Sequence, residues 1–232
     1  WQAGEGLNIG TSWRDAFTKL GDALALASSR AGASEIWVAR GTYAPAQRNG
    51  DRSATFRLVE GVGVYGGFAG GENTRRERDP IGNVTVLSGD LNGDDEADFV
   101  KIQDNSYHVV TSLDTTAATV LDGFTISGGH ADVLGDNDSG AGLINLGGSP
   151  VFSNLVFRSN RAISCGGGMS TVGGNPSLSD CAFIGNIVEG IQGGPRGGGL
   201  CNENGSPMLT RCLFRGNGSH LYGGGLYSSG GP

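Results

Sequence analysis

From Ser149 to Tyr227 the apolar positions fall in short runs parted by Gly, Asn, Ser and Pro, and one arrangement is written three times. The copies read SPVFSNLVFRSN, NPSLSDCAFIGN and SPMLTRCLFRGN, each followed by a glycine run at 166–168, 197–199 and 223–225. Phe157, Phe183 and Phe214 share one column, and Asn160, Asn186 and Asn217 another. A fainter copy precedes them, with Ile126, Gly129 and Gly140-Ala141-Gly142 at the matching places. From the first glycine of a run to the next aromatic is always 17 residues, whereas the gap from the Asn column to the glycine run alternates between 11 and 6. One part of the repeat therefore keeps register while another tolerates insertion. That is the behaviour of a stacked coil with a loop leaving its wall. No apolar run is long enough for a helix, so the pattern predicts short strands joined by tight turns. The result is an all-β solenoid, a parallel β-helix with three short strands per coil, in which the Phe column stacks inside and the Asn column forms a ladder.

Upstream the runs are less regular but recur at similar intervals. Strands are predicted at 36–39, 42–43, 54–58, 62–68, 84–88, 107–111 and within 119–127. Before them lies the one helical pattern. Trp13, Ala16, Phe17, Leu20, Leu24 and Ala27 form an apolar stripe, with Ser12 as N-cap and Asp15 at the capping-box position. A solenoid end exposes strand edges and raw core, so a helix over 13–29 is expected to cap it. The chain reads as one β-helix domain. Residues 1–34 are arm and capping helix, 35–118 irregular coils with long loops, and 119–232 regular coils, the whole a segment of a longer array.

The Phe-x-x-Asn segments 157–160, 183–186 and 214–217, with Gly-Gly-Gly-hydrophobic at 166–169, 197–200 and 223–226, resemble a known type. They are similar to the right-handed parallel β-helix repeats of the chlamydial polymorphic outer-membrane protein family. The opening, from Thr11-Ser12-Trp13 through Trp37-Val38-Ala39-Arg40-Gly41-Thr42-Tyr43 to Leu87-Ser88-Gly89-Asp90, resembles the start of large secreted bacterial surface proteins. The resemblance implies a capped right-handed β-helix at a cell surface or outside the cell, associated with an outer membrane.

Composition narrows the partners. A net charge of −7 argues against nucleic acid and anionic membranes, and no apolar run approaches the length of a membrane span. The four cysteines lie in the repeats. Cys181 and Cys212 share a column, where either a buried thiol stack or a disulfide between adjacent rungs would fit. No Cys-x-x-Cys spacing points to zinc.

Two places carry candidate chemistry. Asp90, Asn92 and Asp94 follow the alternate-residue oxygen spacing of calcium loops, with Asp98 four residues on, so Ca²⁺ is the expected ion. Asp95 and Lys101 stand where an EF-hand needs Gly and Glu, which excludes that motif. The competing reading is an acidic surface turn. The second place is the edge carrying the 11-residue gaps, 130–139 and 187–196, which should leave the same edge two coils apart. Asp132, Asp136 and Asp138 on the first, with Glu189, Gln192 and Arg196 on the second, outline a polar cleft for a glycan or a protein. Two tolerated insertions without a partner are the competing reading. Catalysis needs more. A lyase requires a carboxylate cluster with a neighbouring base, and a hydrolase requires paired carboxylates. Asp122, Asp180 and Glu203 fall in separate columns, and no convincing catalytic constellation emerges. The expected function is a non-enzymatic extracellular or cell-surface β-helix in adhesion or as a structural spacer; the other reading is a carbohydrate-active β-helix, lyase-like or glycan-binding.

Overall fold

The computed structural model describes residues 7–29, 35–190 and 194–230. Among the described residues the strands form three parallel six-stranded sheets and one of four strands. The first wall stacks Glu35–Ala39, Gly63–Phe68, Val120–Asp122, Val151–Ser153, Ser177–Ser179 and Met208–Thr210. The second stacks Gly41–Tyr43, Thr85–Ser88, Thr125–Ser127, Val156–Arg158, Ala182–Ile184 and Leu213–Arg215. The third stacks Phe56–Arg57, Val110–Leu113, Leu143–Leu146, Met169–Val172, Leu200–Glu203 and Leu226–Ser229. Each coil visits the walls in that order, which is the parallel β-helix that the repeat predicts. The fourth sheet joins His130–Ala131, Arg161–Ala162, Ile187–Val188 and Gly218–Ser219 between the second and third walls. Two-residue strands carry no alternation, so this rib is not legible as a strand in the sequence.

Fixed spacing becomes stacked register. Phe157 pairs with Phe183 and Phe183 with Phe214. Their rings lie 4.6 and 4.8 Å apart and within 4° of parallel, the spacing of neighbouring strands in a sheet. Phe157 and Phe183 are fully buried, and each ring contributes roughly 2–3 kcal/mol of transfer free energy. The Asn column forms the expected ladder. Asn186 Nδ2 donates to Phe157 O at 2.9 Å and to Asn217 Oδ1 at 3.0 Å, while Asn186 Oδ1 accepts from Asn160 Nδ2 at 2.9 Å. Buried amides thereby satisfy backbone groups that the bend removes from the sheet. The glycine run is needed for two reasons. Its first member takes a left-handed φ, +64° at Gly166, and its third leaves no room for a Cβ, which at Gly168 would stand 2.5 Å from Gly199 O.

The N-terminal helix is shorter than its stripe predicts, spanning Leu20–Ser29 rather than 13–29. Ser12 and Asp15 bond to each other, Asp15 N to Ser12 Oγ at 3.2 Å and Ser12 Oγ to Asp15 Oδ2 at 2.9 Å, but they cap a turn rather than the helix, which starts at Leu20. The arm occupies that turn: Asp15 O accepts from Ile9 N and Gly10 N at 2.9 and 2.8 Å. Leu20, Leu24 and Ala27 still enter the core beside Val38 and Phe56, so the capping role holds with the shorter helix.

Candidate functional site

The long segments share a corner. Residues 44–55, 89–109, 132–142 and 163–168, with 189–190 and 194–199, all leave the solenoid between its second wall, or the short rib, and its third wall. The acidic excursion and both repeat insertions therefore belong to one crest running along the axis. Contacts between successive coils hold it together. Asn49 N donates to Asn92 Oδ1 at 2.9 Å, and Arg52 donates from Nε to Asn105 O at 2.6 Å and from Nη2 to Asp132 Oδ1 at 2.7 Å.

At the N-terminal end of the crest, Asp90 folds the 89–98 turn over itself. Its Oδ1 accepts from Gly93 N and Asp94 N at 2.6 and 3.2 Å, and its Oδ2 from Asp95 N at 3.2 Å. Carboxylate oxygens of Asp90, Asp94 and Asp104 lie within 4.8 Å of one another. Asp98 is not part of that group: Asp98 and Phe99 take left-handed φ of 58° and 61°, and the chain turns back before Asp104 joins. Asn92 holds the loop by both ends, since its N–H donates to Asp104 Oδ2 at 2.9 Å. Three hard oxygens so close can hold a divalent cation. Beside them is a cleft of about 270 Å³ lined by Asp90, Asp95, Asp98, Ser127, Arg158 and Ser159. Burial pushes the Asp95 carboxyl up to about 6, against the Asn105 hydrogen bond, with Asp90, Asp104 and Asp94 adding repulsion. Asp95 Oδ1 is buried without a hydrogen-bond partner among the described residues.

In the middle of the crest the carboxylates of Asp132 and Asp138 are tied down, while Asp136 is held through its backbone carbonyl. Asp132 is ion-paired to Arg52, whose guanidinium also lies 4.3 Å from the Tyr107 ring centre. His130 is buried, which lowers its pKa, and its Nδ1 is 2.9 Å from Ile102 O. Asp136 O is 3.1 Å from His108 Nε2, and Asp138 accepts from Ser139 Oγ at 2.6 Å and from Gly135 N at 3.2 Å.

The C-terminal part shows what the glycine runs do. The residue before each run, Ser139, Cys165, Arg196 and Tyr222, joins its counterparts by parallel bridges into a rail. The rail covers the outer side of the third wall, where Ile144, Ser170 and Cys201 are consequently buried. Cys165 is disulfide-bonded to Cys201, their Cα atoms 5.6 Å apart. Cys181 and Cys212 are free thiols, as the thiol-stack reading has it; burial pushes the Cys181 thiol up to about 12. The bonded pair escapes a column reading because it links the position before one run to the position four after the start of the next.

Both insertions do leave the same edge, with Arg161 and Cys165 between them. Their charges are paired in place: Arg161 to Glu189 at 3.1 Å, and Arg196 to Glu203 at 3.3 Å. Gln192 lies outside the described residues. Arg196 also stands 5.2 Å from the Tyr227 ring centre, and its hydrogen bond lowers the Tyr227 hydroxyl below the ordinary phenol value. Tyr222, 56% exposed, sits 6.2 Å from Tyr227. Sequence reasoning placed Arg196 here, read Glu203 only as an isolated column acid, and missed Tyr222 and Tyr227. The signal of the two tyrosines is positional, since they stand on either side of the 223–225 glycine run.

The architecture defines a parallel β-helix with one loop-bearing crest. No protein-family model matches the chain, and no curated protein matches it. A solved structure to which it is similar is the pectin methylesterase PemA from Erwinia chrysanthemi, at 14% identity and a TM-score of 0.45. The match covers 90% of this chain and 53% of that one, so the chain spans about half that protein's length. No described helix is long and apolar enough to cross a membrane.

Proposed function

We propose that the chain is a glycan-binding β-helix of an extracellular or cell-surface protein, which holds a polysaccharide along its loop crest. The observation that carries the reading is that, among the described residues, the long loops other than 69–84 leave by one corner, where contacts between successive coils join them. An extended polymer requires an extended site. A solenoid supplies one, because its walls stay rigid while loops vary. Exposed Tyr222 beside Tyr227 offers ring faces for sugar C–H groups, and Arg161, Arg196, Glu189 and Glu203 offer hydrogen-bonding heads held in place by their ion pairs. The Cys165–Cys201 disulfide supports an oxidising compartment. The repeat motifs, similar to those of polymorphic outer-membrane proteins, support a surface setting and a role in adhesion. Ca²⁺ at Asp90, Asp94 and Asp104 would brace the other end of the crest.

Titration of the protein with a panel of neutral and acidic polysaccharides tests this. Binding that falls at least ten-fold in Arg196→Ala and in Tyr222→Ala supports it; a panel that leaves the protein untouched removes it. One observation favours a second reading. Asp95, titrating near 6 in a cleft with Arg158, is suited to proton transfer. New reducing ends or unsaturated products, abolished in Asp95→Asn, would move the protein from binder to enzyme.

A further inference from the structure

At the N-terminal end of the solenoid a groove of about 1140 Å³ lies between the cap and the first coil. One side is a single stretch of backbone, 35–40, continued by Tyr43; the other is the 9–19 arm and the helix face bearing Ala23, Leu26 and Ala27. Glu35–Ala39 is the terminal strand of the first wall, and among the described residues nothing pairs with its outer edge. Six extended residues span about 20 Å at ~3.3 Å each. A slot of that length, between a strand edge and a helix, is the setting in which an extended peptide joins a sheet.

The charges in the slot select the peptide. Glu35 is engaged by Arg75 at 2.6 Å. The Glu72 carboxylate accepts from the backbone N–H groups of Ala69, Gly70 and Gly71 at 2.6–3.0 Å. Lys19 and Arg40 also line the groove, and neither side chain has an ion-pair or hydrogen-bond partner among the described residues. Among the described residues, the charges of the groove left unpaired are both positive. The small side chains of Ala23 and Ala27 leave depth on the apolar side.

We propose that this groove binds an extended peptide of a partner protein, about six residues long, with acidic side chains alternating with apolar ones, as an added strand on Glu35–Ala39. The apolar side chains meet Ala23, Leu26 and Ala27, and the acidic ones meet Lys19 on the arm and Arg40 at the end of the strand. The site is separate from the crest.

The test is fluorescence anisotropy with two labelled hexapeptides, one alternating valine and glutamate, the other valine and lysine, added to the full chain. The glutamate peptide is expected to bind at least ten-fold more tightly than the lysine peptide. Lys19→Glu with Arg40→Glu should invert that preference. Ala23→Phe, with an unchanged melting temperature, should weaken binding at least ten-fold by filling the slot. Equal binding of the two peptides overturns the proposal, as does no binding to the full chain. If the glutamate peptide binds only after residues 1–6 are removed, the slot belongs to the chain's own arm and the partner reading is overturned.

Discussion

Asn186 shows how much a single polar residue carries in this fold. It is fully buried and bonds both ways along the axis, so replacing it leaves Phe157 O and Asn160 Nδ2 without that partner at once. Each buried group so abandoned costs about 1–3 kcal/mol. Asn186→Ala should lower the urea midpoint with an unchanged slope. Phe183→Ala, which opens a gap in the ring stack, should cost about 3–5 kcal/mol in the same measurement. Both columns were legible because their spacing repeats. Asp95 was not, since its behaviour follows from what surrounds it rather than from its neighbours in sequence. Its folded pKa, raised to about 6 from an ordinary value of 3.8, disfavours the charged form in the folded state. Well below pH 3.8 both states are protonated and no penalty exists. As pH rises towards 6 the unfolded chain releases its proton first, so stability falls, and above about 6 the loss is complete. Asp95→Asn in chelator should therefore match the wild type well below pH 3.8 and exceed it increasingly up to pH 6. Equal melting curves at all pH values would contradict that.

At the scale of elements, the stripe of Trp13, Phe17, Leu20 and Leu24 identified the cap but not where its helix starts. The arm takes the carbonyl of Asp15, a long-range competition that no local pattern records. Leu20→Asp is expected to cause unfolding from the N-terminal end, seen as early loss of hydrogen-exchange protection in the first coil. Protection unchanged there would give the helix another role. The acidic excursion teaches the same lesson. Alternate spacing found Asp90 and Asp94, but the third carboxylate is Asp104, brought in by a turn after two left-handed residues. Calorimetry on chelated protein should show Ca²⁺ uptake that Asp104→Asn weakens more than Asp98→Asn. The reverse order would restore the linear motif, and no uptake would leave the loop held by its own backbone N–H groups. The disulfide was hidden for another reason: glycine runs fold the chain so that Cys165 of one coil meets Cys201 of the next, in different columns of the repeat.

For the whole molecule, the register of the walls followed from constant spacing, and the single edge for both insertions followed from the alternating gaps. What was not legible is that 44–55 and 89–109 leave by the same corner, because those coils lack the repeat motif. That corner turns isolated loops into one crest, and the reading of function depends on it. Shortening both 11-residue gaps to six should leave the melting temperature nearly unchanged, since loop length contributes weakly to stability, while removing a recognition surface. The most direct measurement of the central claim is isothermal titration of a polysaccharide panel against the wild type, this double-shortened variant and Arg196→Ala. Binding by the wild type, at least a ten-fold loss in both variants and equal thermal stability in all three are expected. Binding of equal strength to all three proteins would contradict the claim.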